Sequence, residues 1–515
     1  MIIIAHQHNK TLKVLNSDMQ EIDMSSTIVS PTIMLKRVSQ KFPNALIVWC
    51  HINYLNDLNI KALSSIFHHK RILATFTPQK DSFLQKKIGY IERSFFIKIN
   101  KKISYPTWLM SSNVGGVYAE IINTLNSDLK FNTDLDYFLN SLAKRYMVEG
   151  LFCYSEPNLL HKNVEPKTKI VQASTYSYFK FTKQHYKWVW VWFLFGCYLI
   201  YEKRLKLFPL LKSLFYKQLH VDFNLEQIEI KSNNKILNKK SIDVIIPTIG
   251  RKKYLYDILK DLSQQTLMPK KVIVVEQNPT EDSISKLDYL NNENWPFKLK
   301  HVFTNKTGVC NARNIALEYI ENEWVFFADD DIRIGFDFFE TSFHEILNYG
   351  VSVASYACLL PKQIQTYLKT HQTTVFGAGS SMVKSSVLQG KRFNILYEHG
   401  FGEDNDFGMQ LRNKGHDIIY FSDIKITHLK APIGGYRTKI KQPWEDDEIQ
   451  PKPSPTIQLL YQTYFTKQQL LGYKLLLGLQ SYKNGQERNP FKFANHFKKQ
   501  WQQSLNWYAK LQTKL

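Results

Sequence analysis

The clearest pattern of apolar positions lies between residues 239 and 440. SIDVIIPT (residues 241–248) and KVIVVEQN (271–278) are continuous β-branched runs, as strands buried on both faces require. Between them, GRKKYLYDILKDLSQQ (250–265) carries apolar residues at helical spacing. Strand, helix and strand in this order predict a parallel sheet, and such sheets gather ligands at the carboxyl ends of their strands. HVFTN (301–305) predicts a third strand, GVCNARNIALEYI (308–320) a helix and WVFFADDD (324–331) a fourth strand. The residues to inspect are therefore Pro247, Thr248 and Arg251 after the first strand, and Glu276, Gln277 and Asn278 after the second.

Around this α/β domain (239–440) the pattern changes. Residues 1–165 alternate strand-like runs (ALIVWCHINY, RILATF) with helix-like ones (VYAEIINTL, DYFLNSLAKRYM), which predicts a smaller α/β domain. Residues 166–238 read as an aromatic and basic helical linker. Within it, residues 188–201 (WVWVWFLFGCYLIY) carry no charge. A helix of that length covers about 21 Å, short of the ~30 Å hydrocarbon core of a membrane. Its tryptophans, with Lys183 and Lys187 before and Lys203, Arg204 and Lys206 after, suit either a segment lying in a membrane interface or a helix buried between two domains. Residues 441–515 open with a Pro-rich stretch, QPWEDDEIQPKPSPT, and continue as two helical patterns rich in aromatics and lysines. These fit a membrane surface, a partner helix or packing onto the α/β domain.

At 515 residues the chain exceeds one ordinary core, so two or three domains are expected. Lys and Arg outnumber Asp and Glu by 67 to 45, a formal charge of +22. That excess points to a polyanionic partner, either an anionic membrane surface or a phosphorylated small molecule, or else to a solvated basic surface. Charge alone points to nucleic acid. No recognisable binding module accompanies it, and the aromatics sit in apolar stretches instead of stacking platforms, so no nucleic-acid partner is expected. Five scattered cysteines without a CxxC pair predict reduced thiols in a cytoplasmic compartment. Cys50, His51, His68 and His69 fit no standard zinc spacing. The first residues, MIIIAHQHNKTLKVL, read as a strand and not as a secretory signal.

Asp329, Asp330 and Asp331 then need an explanation, because adjacent carboxylates at the end of a buried strand repel one another. A divalent cation lowers that cost, and hard oxygen ligands suit Mg2+ or Mn2+, which commonly also bind substrate phosphates. A solvated loop or a helix cap is the alternative. A second acidic group, Glu403, Asp404 and Asp406, opens a helix-like run after a glycine. The helix dipole stabilises acids there, and a carboxylate so placed can also serve as a general base. IKITHLKAPIGGYR (424–437) adds His428, an imidazole that can complete a metal site, and Lys430 and Arg437, cations that can hold phosphate.

In their order and spacing these segments resemble family 2 glycosyltransferases of the GT-A fold, over residues 241–440. IIPTIGR resembles the family's opening strand and nucleotide loop. VVEQN stands where the family usually carries an Asp against the base, here Glu276, with Asn278 beside it. NKTGVCNARNIAL resembles the segment in which an Arg approaches the diphosphate, which implies that role for Arg313, with Gly308 allowing close approach. ADDD resembles the DxD motif, which implies Asp329 and Asp330 at the donor and Asp329 and Asp331 at the metal. GEDND resembles the ED motif, which implies Asp404 as catalytic base beside Glu403. His428 falls where several members place a metal-ligating His. FGAGSSMV resembles the segment lining the sugar and acceptor site, which implies Gly377, Gly379 and Ser380.

The resemblance implies a Rossmann-like, mostly parallel sheet and a single inverting displacement. The donor it implies is a nucleotide sugar, most commonly UDP-linked, used with Mn2+ or Mg2+. The acceptor expected is a glycan or lipid-linked hydroxyl in bacterial surface polysaccharide synthesis, at the cytoplasmic face of the membrane. The competing reading is a non-catalytic glycan-binding or scaffold protein of a membrane-associated assembly. The smaller domain echoes the larger. DLDYFLNSLAKRYMVEGLFCYSEPNLLH (134–161) parallels residues 404–428, ALIVWCHINYL parallels EWVFFADDDIRI, and SSNVGGVYAEI parallels GAGSSMVKSSV. A shortened, degenerate GT-A-like repeat without the metal triad is one explanation, and chance likeness of two α/β patterns is the other.

Overall fold

The structure, a computed structural model, describes all residues except 25–28, 126–133, 170, 222, 433–440 and 514–515. The chain forms two compact units. The first comprises Met1–Asn234 with Phe465–Leu479, and the second Lys235–Tyr464 with Gln480–Leu515.

The first unit is built on seven strands: β1 (Ile2–Gln7), β2 (Lys10–Leu15), β3 (Leu46–His51), β4 (Ile72–Phe76), β5 (Tyr105–Pro106), β6 (Val114–Tyr118) and β7 (Phe152–Ser155). Their order in the sheet is β2-β1-β3-β6-β4-β7-β5. β1 pairs with β3, and β4 with β7, in parallel; the remaining pairings are antiparallel. The helix Val189–Glu202 buries Val191, Leu194, Cys197 and Tyr198, while Trp188 is 65% and Trp192 46% exposed. It therefore has one packed face and one bare aromatic face. Among the described residues, no helix is long and apolar enough to cross a membrane.

The second unit has nine strands: β8 (Ile242–Thr248), β9 (Lys271–Gln277), β10 (Lys298–Thr304), β11 (Trp324–Ala328), β12 (Ile332–Arg333), β13 (Val353–Leu359), β14 (His371–Gln372), β15 (Ser380–Lys384) and β16 (Ile419–His428). They are ordered β10-β9-β8-β11-β15-β13-β16-β12, with β14 beside β16. β8 is buried along its whole length, as its unbroken apolar run predicts. Asp243 interrupts that run without cost to satisfaction, because it accepts from the N–H groups of Glu321 and Asn322 and from the Asn322 amide. The helix Lys252–Ser263 turns Leu255, Ile258, Leu259 and Leu262 onto the sheet at the predicted spacing. This is the mixed, mostly parallel α/β sheet expected of a GT-A fold.

The two sheets share a topology. In chain order, β1, β3, β4, β5, β6 and β7 take the places and polarities of β8, β11, β13, β14, β15 and β16. Among the described residues the first sheet has no counterpart of β9 and β10; the antiparallel β2 covers β1 there. The helical pattern at 457–482 is two helices, Pro455–Tyr464 and Lys467–Asn484. Thr466 and Gln469 cap the second reciprocally, each side chain accepting the other's N–H.

Candidate active site

Topology brings the predicted residues of the second unit to one edge. β8, β9, β11, β13 and β16 run in one direction, so Thr248, Gln277, the three aspartates and His428 all lie at carboxyl ends. β15 runs the other way, so its start, with Gly379 and Ser380, meets the same edge.

The three aspartates differ in their partners, although Arg251 Nη1 reaches both Asp330 Oδ1, at 2.6 Å, and Asp331 Oδ2, at 3.4 Å. Asp330 is buried. It accepts from Thr248 Oγ1 at 2.7 Å and from Arg251 Nη1 at 2.6 Å. Burial raises its pKa to about 6 against the pull of Arg251 and Thr248. Asp331 is also buried, but the His428 imidazole, the Ala431 N–H and Arg251 outweigh desolvation and hold its pKa down at about 2. His428 Nε2 lies 3.1 Å from Asp331 Oδ1. Asp329 accepts from Arg313 Nη2 at 3.1 Å.

One ligand atom each from Asp329, Asp331 and His428 falls within 4.8 Å of the others. Two carboxylates and an imidazole at that separation fit a divalent cation such as Mn2+ or Mg2+. Space there is tight: a Cβ on Gly379 would sit 2.1 Å from Asp329 Oδ2, so glycine is required for the carboxylate to lie where it does.

Arg313 is buried on the helix Val309–Leu317, over the face of Phe393, which stacks on Phe407 with centroids 4.1 Å apart. This aromatic floor holds the guanidinium between two acids. Its Nη1 is 3.8 Å from Asp404 Oδ1, and its Nε has no partner. Asp404 stands in the first turn of the helix Glu403–Arg412, with Glu403 buried beside it. Desolvation raises the Asp404 pKa to about 7; Arg313 opposes this, and Glu403 and Asp329 add to it. Asp406, by contrast, accepts from Tyr464 and Gln410 and is tied into the fold.

Glu276 accepts from Ser285 Oγ and pairs with His301 Nε2 at 2.9 Å. Asn278 bonds the chain that follows, through Thr280. Pro247 is buried in β8, and Ser380 is buried beside Gly377, whose Cβ position it would crowd at 2.5 Å. Gly308 adopts φ +139, and a Cβ there would fall 2.3 Å from the Glu398 carboxylate, which accepts from the N–H groups of Cys310 and Asn311. Sequence reasoning passed over Glu398; the only signal was a glycine before a helix that lacks a capping side chain of its own. Lys430 is described, at φ +57, whereas Arg437 lies outside the described residues.

Strand-end acids, a buried arginine and close glycine contacts thus share one edge of an α/β domain of the glycosyltransferase class. Residues 243–413, within the second unit, match the profile of glycosyl transferase family 2. Over 92 residues the chain is 35% identical to the poly(ribitol-phosphate) beta-N-acetylglucosaminyltransferase TarS of Staphylococcus aureus strain Mu50, and equally to that of strain MW2. The match covers 17% of this chain and 16% of the relative, so the chain spans about a sixth of the curated relatives it matches. The crystal structure of S. aureus TarS 1–349 in complex with UDP-GlcNAc superposes with a TM-score of 0.34 at 19% identity, over 52% of this chain and 72% of that one. For the complex with UDP the TM-score is 0.34 at 19% identity, over 49% and 74%.

Proposed function

We propose that the chain is an inverting, metal-dependent glycosyltransferase. It moves a sugar from a nucleotide-sugar donor, UDP-linked, to a hydroxyl of a glycan or lipid-linked acceptor in bacterial surface polysaccharide synthesis. The observation that carries this reading is the convergence of Asp329, Asp331 and His428 beside the Arg313–Asp404 pair.

Asp404 accepts the proton of the acceptor hydroxyl as its oxygen attacks the anomeric carbon. The bond from that carbon to the diphosphate breaks, and the diphosphate leaves with the electron pair. Arg313, held in place by Phe393 and Asp329, offsets the charge that develops. Asp329, Asp331 and His428 would hold a divalent cation, which would supply further positive charge for the diphosphate. The similar segment in an N-acetylglucosaminyltransferase makes N-acetylglucosamine the first donor sugar to try.

The chain works at the cytoplasmic face of an anionic membrane. Trp188, Trp192, Phe208 (76% exposed) and Phe215 (89% exposed) support this, with Lys203, Arg204, Lys206 and Lys212 among them. Binding to vesicles with and without anionic lipid tests that part.

The transferase reading is tested by incubating the full chain with a panel of UDP-sugars and Mn2+ and measuring released UDP. Release that needs the cation and stops with EDTA is expected. No release from any donor in the panel would sink the proposal.

A further inference from the structure

The first unit has a crevice at the same edge of its sheet that carries the acids in the second. A cavity of about 460 Å3 opens at the ends of β1 and β3, beside the start of β6, and is lined by His8, His51, Asn53, Gln79, Asn113 and Asp136 among others. That volume lies in the range of small-molecule sites, about 300–1,000 Å3.

Register fixes the correspondence. Cys50 pairs with Val114 as Ala328 pairs with Ser380, so His51 stands where Asp329 stands and Asn53 where Asp331 stands. The His51 N–H donates to Asn113 O at 2.7 Å, as the Asp329 N–H does to Gly379 O at 3.3 Å. His51 and Asn53 do not replace the two carboxylates, and among the described residues no strands correspond to β9 and β10, which in the second unit form the half of the sheet that would hold a base.

What lines it instead is mixed: Asp81, Asp134, Asp136, Lys167 and Lys169 stand among amides and imidazoles. His51 Nδ1 accepts the Asn53 N–H, which leaves the ring proton on Nε2, and burial lowers its pKa to about 4. Asn113 donates to Thr77 Oγ1 at 2.8 Å and Gln79 Oε1 at 2.6 Å, and Gln79 donates to Tyr54 OH at 3.0 Å. The amides are thereby fixed in orientation. Phe83 and Leu135 add an apolar wall. Oriented amides, the His51 imidazole and carboxylates beside an apolar wall match the hydroxyls and C–H face of a sugar ring.

We propose that this crevice is a non-catalytic sugar-binding site that holds one residue of the glycan the second unit extends; the last clause rests on the transferase reading above. The test uses the full chain, saturated with UDP and Mn2+, and a panel of glucose, galactose, N-acetylglucosamine and N-acetylgalactosamine, read by saturation-transfer NMR and titration calorimetry. At least one sugar should bind. His51→Ala should weaken it about tenfold. His8→Asn, an exposed position at φ +50 where asparagine is tolerated, should weaken it severalfold without risk to the fold. Donor hydrolysis, followed in the same preparations without UDP, should be unchanged in both variants. The proposal is overturned if no sugar binds, if binding survives both variants at full strength, or if UDP displaces the sugar. Sugar binding without any donor hydrolysis would remove the transferase reading and leave the crevice; hydrolysis without sugar binding would do the reverse.

Discussion

His428 Nε2 lies 3.1 Å from Asp331 Oδ1, although 97 positions separate the two in sequence, because β16 ends beside β12 with Ile332 opposite His428. If the pair binds a cation together with Asp329, His428→Ala should raise the Mn2+ concentration for half-maximal donor turnover about 10- to 100-fold. Metal titration of UDP release measures this. An unchanged midpoint would remove His428 from the ligand set.

Asp404→Asn should reduce transfer at least a thousandfold while donor affinity stays within about threefold, since the amide keeps the shape and loses the base. A general base works only when deprotonated. With the Asp404 pKa raised to about 7, kcat/KM should climb with pH through that value and level off above it. The residual activity of the asparagine variant should lack this limb. Calorimetry with UDP and pH-rate profiles decide the matter.

Gly379→Ala places a methyl 2.1 Å from the position of Asp329 Oδ2. The carboxylate has to move, and with it one corner of the proposed cation site. Turnover should fall about a hundredfold with the thermal midpoint little altered. A fully active Gly379→Ala protein would show that Asp329 is not held where the chemistry needs it.

Much of this was legible because buried parallel strands leave an unmistakable run. β8, β9 and β11 stand out as SIDVIIPT, KVIVVEQN and WVFFA, and the chemistry follows each run at once. The family resemblance rests on those junctions. The separate fates of Asp329, Asp330 and Asp331 were not legible, since one-residue steps along a strand end point side chains to opposite sides, and only the neighbours (Arg251, Arg313, His428) decide each role. Glu398 was hidden for a similar reason: its partner, the Val309–Leu317 N-terminus, lies 88 residues away from it at Cys310. The likeness of the two sheets was sparse in residues but is explicit in strand order, because topology survives where side chains differ.

Asp136 offers a test of the first unit alone. Burial raises its pKa from 3.8 to about 7, with Asp134 adding to the effect and the Ser112 N–H and Oγ opposing it. Between those values the folded protein keeps a proton that the unfolded chain has lost. The stabilisation is therefore complete below pH 3.8 and disappears as pH rises through 7. Asp136→Asn can still bond Ser112, so it should gain several degrees of thermal midpoint on the wild type between pH 5 and pH 8. A difference that does not change with pH would refute the shift.

Glu92 is enclosed, and desolvation works against its charge; Lys144, the Ser94 N–H and Tyr186 OH overcome this and hold its pKa at about 2. Lys144 also stands 4.7 Å from the ring centroids of both Trp108 and Tyr186. Lys144→Met should cost about 3–5 kcal/mol, because the carboxylate is left buried without its cation. Adding Glu92→Gln should restore most of the loss in denaturant unfolding. No recovery in the double variant would mean that the lysine acts through packing.

The C-terminal helices have one further consequence. Phe465–Leu479 belongs to the first unit, where Gln469 donates to Ser94 O, Phe465 meets Phe95 at 5.4 Å and Gly472 lies so close to Tyr90 that a Cβ would fall 2.1 Å from its carbonyl oxygen. The polypeptide thus passes between units three times, at 234/235, 464/465 and 479/480. As the chain emerges from the ribosome, its first 234 residues wait for a piece made more than two hundred residues later, so the unit begun first is the one finished after the catalytic sheet is already complete.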